Sequence, residues 1–241
     1  MDEREIQLRK RYEDLKARAQ RVSDIQTVEN VFNTFLQYYN LQHAEGMLSL
    51  FALDQPDVSI EEAYSELFEG KEAVEAYIDQ FRRLAKKRGV ILEEHAVCPV
   101  IELACDGKTA KLVCFARGIK GVAATKCQTY LAGRYYADFI KEKDGSWKIY
   151  HLHYFMIFDS EVKKGFMYSQ LTDNKEWTND EMKDVFTALA NKPSTYWPVI
   201  FNPKVPYDYV PEAPDPYETY DGVTALKRTR ILQHFWDRDK Y

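Results

Sequence analysis

The second half of the chain carries long runs of β-forming residues punctuated by two Asp-Gly pairs, and this constrains the fold more than any other feature. Residues 91–104 are rich in β-formers and end at Asp106-Gly107, a pair suited to the positive φ angles of a tight hairpin. A second run, 111–117, stops near Gly118 and Gly121, and a third, 125–141, is longer still. Asp144-Gly145 then turns the chain into a fourth run, 147–158. Strands joined this closely pair antiparallel. Before Gly89 helical periodicity dominates instead, so the order is helices first and strands afterwards. That order predicts an α+β fold, not an alternating α/β one.

The helical half divides by its apolar spacing. Leu8, Tyr12, Leu15, Ala19 and Val22 recur at steps of four and three, one narrow face of a helix over residues 1–22. Such a seam is expected to pack on a neighbouring subunit or on the domain's own surface. Ser23 and Asp24 read as an N-cap, with Gln26 three residues after Ser23. A second helix then presents Ile25, Val28, Phe32, Phe35 and Tyr39 on one side. Residues 43–52 read as a short helix, 55–59 as a loop or short edge strand, and Gly70 opens a helix carrying Val74, Tyr77, Ile78, Phe81, Leu84 and Ala85. Beyond residue 161 the pattern weakens. Residues 179–191 are predicted to form a helix. Residues 193–222, rich in Pro and Tyr, are predicted to form an extended arm over the domain or a partner subunit, because proline removes ladder donors. The expected organisation is an N-terminal helical extension (1–22), a central domain (23–160) and a C-terminal extension (161–241).

Charge and composition remove several classes of function. Thirty-three Lys and Arg against thirty-eight Asp and Glu leave a net charge of −5, without the basic footprint of a nucleic-acid binder. No apolar run approaches the roughly 18 residues of a membrane span. Seventeen Tyr and thirteen Phe suit a protein that surrounds something apolar and tips it with hydroxyls. Cys98, Cys105, Cys114 and Cys127 form no CxxC pair and read as buried free thiols in a reducing compartment. With a densely charged N-terminus unlike a secretory signal, the expected location is cytoplasmic.

Only five histidines occur, and two of them, His151 and His153, sit one residue apart in an apolar strand. A period of two places Trp147, Ile149, His151, His153 and Phe155 on one face and Lys148 on the other, so the histidine face is expected to be interior. Arg134 and Asp138 share parity with Tyr136, and an arginine so placed could polarise a carbonyl. His95, His151 and His153 could form a facial metal site, but no carboxylate has a suitable spacing. No metal and no cofactor are expected.

Several stretches resemble the nuclear transport factor 2-like, or SnoaL-like, superfamily. They are "LSLFA" at 48–52, "GKEAVEAYI" at 70–78, "CPVIELACDGKTAKLV" at 98–113 and "GRYYADFIKEKDGSWKIYHLHYF" at 133–155. The resemblance spans roughly residues 25–158. It implies a cone-shaped, strongly bent antiparallel sheet packed on N-terminal helices, with a pocket inside the cone. Ketosteroid isomerase, polyketide cyclases, and scytalone and bile-acid dehydratases are built this way. The resemblance therefore implies a cofactor-free lyase (dehydratase) or isomerase acting on a small hydrophobic hydroxy-carbonyl or aromatic ring molecule. The alternative is a non-catalytic small-molecule-binding or oligomerisation module, and in either case a homodimer or higher homo-oligomer. His95, four residues before Pro99, matches the dehydratases' catalytic histidine and would be the general base. Tyr39 or Arg134 would stabilise the enolate, and His151 or His153 would protonate the leaving hydroxyl. Aligned on "LSLFA", Asn40 falls where those enzymes carry an aspartate. Tyr38, Asn40, His43, Tyr136 and Phe155 complete the expected substrate-binding set.

Overall fold

The computed structural model describes residues 2–62, 66–168, 180, 182–195, 201–204 and 211–222. The first element is one helix, α1, from Glu3 to Asn40, started by the Asp2 carboxylate accepting from the Glu5 amide at 2.7 Å. The expected break at Ser23-Asp24 is absent. Asp24 is buried and spends its carboxylate on tertiary contacts, accepting from Lys141 Nζ at 2.8 Å, Trp147 Nε1 at 3.0 Å and Gln20 Nε2 at 3.1 Å. A cap residue must turn its side chain back to its own helix start; Asp24 turns away, and the helix continues through it.

Two further helices and two short strands follow: α2 (Ala44–Ser49), β1 (Ser59–Glu62), β2 (Glu66–Glu69) and α3 (Lys71–Leu84). Residues 55–59, expected as a loop or short edge strand, lead into β1 at Ser59, and the antiparallel pairing of β1 with β2 goes beyond that expectation. Then come four long strands, β3 (Val90–Leu103), β4 (Thr109–Val122), β5 (Cys127–Lys141) and β6 (Trp147–Glu161), and a two-residue β7 (Lys192–Pro193). The sheet order is β3-β4-β5-β6-β1-β2-β7, antiparallel throughout except for β1 against β6. Residues 182–191, expected to be helical, form turns and irregular chain instead; residue 179 lies outside the described residues.

Bulges bend the sheet and reset which face each side chain takes. One lies between Val97 and Val100, where Cys98 has φ 56° ahead of Pro99. Another lies on β6: Ile149 pairs with Phe139 and His151 with Asp138, leaving Tyr150 as the extra residue. The inner face, toward the helices, is the core. It joins Val28, Phe32 and Phe35 of α1 and Ile78 and Phe81 of α3 to Leu112, Tyr135, Phe139, Ile149 and Leu152 of the sheet. Trp147 and Ile149 face this core, but after the extra residue Leu152, Tyr154 and Met156 do. His151, His153 and Phe155 therefore lie on the outer face, correcting the interior placement expected from uninterrupted alternation.

The outer face is covered in part by the C-terminal segments. Cys105 N donates to Tyr217 O at 2.9 Å, Phe201 N to Ile157 O at 2.7 Å, and Arg134 to Pro211 O at 2.7 Å. Of the four free cysteines, Cys114 and Cys127 are buried as expected, whereas Cys98 at its bulge and Cys105 past the end of β3 are exposed.

Candidate functional site

Inside the cone the core is not purely apolar. Glu94, on β3, is 4% exposed and faces the helices between Leu92 and Ala96. Its carboxylate accepts from Tyr135 Oη at 2.8 Å and from Tyr39 Oη at 3.1 Å. Burial pushes its pKa up to about 7 against the pull of the Tyr135 hydrogen bond, with the nearby Glu62 carboxyl adding to the rise. Both tyrosines are themselves held well above their ordinary values, chiefly by burial and then by the Glu94 charge. They are therefore proton donors, never phenolates, near neutral pH.

Aromatic rings enclose this carboxyl. Tyr135 packs on Tyr154 at 4.9 Å and on Phe32 at 5.5 Å, and Tyr39 on Phe81 at 5.0 Å. Tyr77 donates to a second carboxylate, Glu62. Gly133 permits the arrangement, since a Cβ there would meet Tyr154 Cζ at 2.5 Å. The void among Phe35, Tyr39, Tyr77, Tyr135, Leu152 and Tyr154 is about 10 Å³, room for a single water. At the β4–β5–β6 end of the same face, Lys120 pairs with buried Asp159. The arrangement can hold or move a proton at Glu94 and present phenolic donors to an oxygen beside it.

Of the predicted residues, Tyr39 belongs to this cluster. Asn40 touches Glu94 through the backbone: its side chain donates to the carbonyl at 2.9 Å and accepts from the amide at 2.8 Å, fastening the end of α1 to the free edge of β3. His43 caps α2, its Nδ1 accepting from Gly46 N at 3.0 Å, and its ring packs on Tyr38 at 5.2 Å. His95 points the other way from Glu94. Its side chain is 64% exposed and lies 3.2 Å from Glu93. It shares with Asn40 an open surface groove of about 460 Å³ between α1 and β3.

The remaining predicted residues gather on the outer face. His151 Nδ1 lies 2.9 Å from Ser59 Oγ, with its ring against Tyr150 at 3.9 Å and Tyr220 at 6.4 Å. His153 Nδ1 lies 3.3 Å from Glu61 Oε2, and Glu61 also accepts from Ser194 and from the amide and hydroxyl of Thr195. Phe155 stacks on the His153 ring. Tyr136 donates to Asp138, whose other oxygen accepts from Tyr220 at 3.1 Å. Arg134 spreads over the Phe115 ring at 4.7 Å while donating to Pro211. Burial drives His151 down to about 4 and His153 down to about 3, and raises Asp138 to about 7. Both imidazoles are neutral and sealed, whereas His95, on the same outer face through its pairing with Arg117, stays in solvent. Among the described residues, no group of three or more His, Cys, Asp or Glu is arranged to hold a metal ion. None of the described helices is long and apolar enough to cross a membrane.

Glu94 and Tyr135 lie outside the histidine pattern, yet strand alternation carries a signal for both. Glu94 alternates with Leu92 and Ala96, and Tyr135 with Ala137 and Phe139, so each shares parity with core residues.

A bent, unclosed and mostly antiparallel sheet packed against N-terminal helices is a cone of the NTF2-like class. The chain belongs to the SnoaL-like domain family, whose model matches residues 20–153. No curated protein matches it. Among solved structures it is similar to a scytalone dehydratase-like protein from Novosphingobium aromaticivorans, at 14% identity over 59% of this chain and 89% of that one (TM-score 0.50). It is also similar to the hexachlorocyclohexane dehydrochlorinase LinA-type3 of Novosphingobium barchaimii, at 13% over 62% and 94% (TM-score 0.49). An NTF2-like superfamily protein of Salmonella enterica matches at 16% over 60% and 98% (TM-score 0.49). At these identities the likeness is one of fold alone.

Proposed function

We propose that this protein is a cofactor-free acid/base enzyme, a lyase or isomerase of small hydrophobic hydroxy-carbonyl compounds, with Glu94 as the proton carrier. One observation carries the reading: a carboxyl inside the cone, poised near neutrality and held between two tyrosine hydroxyls. A purely structural core has little use for an ionisable group whose burial costs several kcal/mol, and such perturbed groups concentrate at functional sites. The chemistry follows from the roles available. The Glu94 carboxylate removes a proton beside the substrate carbonyl, and Tyr39 and Tyr135 donate to the oxygen on which charge develops. Glu94 then returns that proton, to a departing hydroxyl as water in a dehydration or to another carbon in an isomerisation. In this reading Tyr39, not Arg134, stabilises the developing charge. His95, facing solvent, and the sealed His151 and His153 all lie on the face of the sheet away from Glu94 and take none.

The test is a panel of β-hydroxy ketones, with enone formation followed by ultraviolet absorbance. Turnover lost by more than about a hundredfold in Glu94→Gln, with His95→Ala unaffected, supports the assignment. Turnover that survives Glu94→Gln, or that depends on His95, overturns it. A second reading is favoured by the narrowness of the void, about 10 Å³: an assembly module whose interior is filled by its own rings. Homo-oligomerisation and a cytoplasmic location belong to either reading. A monomer mass by light scattering removes the first, and exclusion from the cytosolic fraction removes the second.

A further inference from the structure

The first half of α1 stands free of the domain. From residue 2 to residue 23 every side chain is exposed, and the helix first meets the domain at Arg21, which donates to Leu103 O at 3.1 Å. Some 18 helical residues, about 27 Å of helix, thus project with no support from the core. Leu8, Tyr12, Leu15 and Val22 on it remain 59%, 62%, 54% and 68% exposed, and Ala19 completes their four-three repeat. Of the two placements expected for this seam, on a neighbouring subunit or on the domain's own surface, the second does not occur. An apolar row on an isolated helix is stabilised in water by being covered, as in a coiled coil.

What covers it is dictated by its borders. Arg4, Arg11 and Arg18, seven residues apart, run along one side of the seam, and Arg9 and Lys16 along the other. None of these five cations is in an ion pair among the described residues. Glu3, Glu13 and Asp14 point away from the seam. In heptad terms both flanking positions are basic. Two copies paired seam to seam, parallel or antiparallel, would set cation against cation along the whole contact, which disfavours a second copy. An anionic membrane is disfavoured too. The seam occupies two positions in seven, narrower than the apolar face a helix buries in lipid, and Glu5 sits in its line one heptad before Tyr12. We propose that residues 4–22 pair with an amphipathic helix of another protein whose apolar seam is bordered by glutamate or aspartate.

The test titrates the full chain with two synthetic helices of about four heptads, alike in their leucine seam but flanked by Glu in one and Lys in the other, read by fluorescence anisotropy. The Glu helix should bind at least about tenfold more tightly than the Lys helix, and raising salt from about 50 to about 500 mM should erode that difference. Arg11→Glu with Arg18→Glu should invert the preference. Leu15→Glu should abolish binding while circular dichroism keeps the domain's signal. Equal binding of both helices, or binding of neither at about 100 μM, overturns the proposal. So does co-sedimentation with vesicles of about 30% phosphatidylserine that matches the affinity for the Glu helix. A dimer by light scattering that Leu15→Glu dissociates would assign the seam to a second copy and overturn it as well.

Discussion

Glu94 is where single-residue chemistry has a measurable consequence for the whole fold. Its carboxyl titrates near 7 when folded against an ordinary 4.5, so the folded chain holds a proton between those values that the unfolded chain gives up. Its contribution is therefore most favourable below pH 4.5 and is lost as pH rises toward 7, by on the order of 3 kcal/mol. Glu94→Gln cannot ionise and should lack this decline. In urea unfolding, wild type should lose about that much stability relative to the variant between pH 4.5 and pH 7.5. Parallel curves across that range would mean an ordinary carboxyl. Tyr39 was legible in advance because it repeats on an apolar helix face. Glu94 was harder to single out, because it stands between Glu93 and His95 in the β-rich run and its parity with Leu92 and Ala96 is only a weak mark; pairing with β4 fixes which face of that strand is inside.

At the scale of elements, one extra residue redistributes the chemistry. Strict alternation along β6 puts the histidines with Trp147 and Ile149, but the bulge at Tyr150 sends the residues after it to opposite faces. Nothing in the apolar run itself marks that insertion, since Tyr150 suits either side. The strands and their Asp-Gly turns were legible because turn chemistry is local; face assignment beyond a bulge depends on partner strands. α1 teaches the same lesson, because Asp24 has the composition of a cap and the function of a tertiary anchor. The consequence for β6 is testable. His153 is pushed down to about 3 by burial, from an ordinary 6.5. The unfolded chain therefore takes up the proton first as pH falls, and stability that is complete above 6.5 is lost toward the folded value. His153→Gln should flatten this acid-side fall, and wild type should lose roughly 3 kcal/mol relative to it between pH 7 and pH 4. Equal slopes would show that the ring protonates freely while folded.

Considered whole, the molecule is a sheet covered on its two faces by different parts of the chain. Helices α1 to α3 cover the inner face, where Glu94 lies, and C-terminal segments cover part of the outer one. Those segments add partners to buried groups of the outer face: Ser194 and Thr195 to Glu61, Pro211 to Arg134, and Tyr220 to Asp138. The two coverings make separable predictions. Tyr220→Phe removes one hydrogen bond to Asp138 and should cost about 1 kcal/mol. Deleting residues 192–241 strips partners from Glu61, Arg134 and Asp138 together, and burial of an unpartnered charge is far more costly, so the loss should reach several kcal/mol in urea unfolding. The inner face should be indifferent to both changes. Carbon-detected NMR of the Glu94 carboxyl should still titrate near 7 in Tyr220→Phe, and in the truncated chain wherever it remains folded. A truncated chain as stable as the full one would mean that the outer carboxylates find water as readily as they find the arm. A Glu94 titration that moved with Tyr220 would mean that the sheet couples its two faces instead of insulating them.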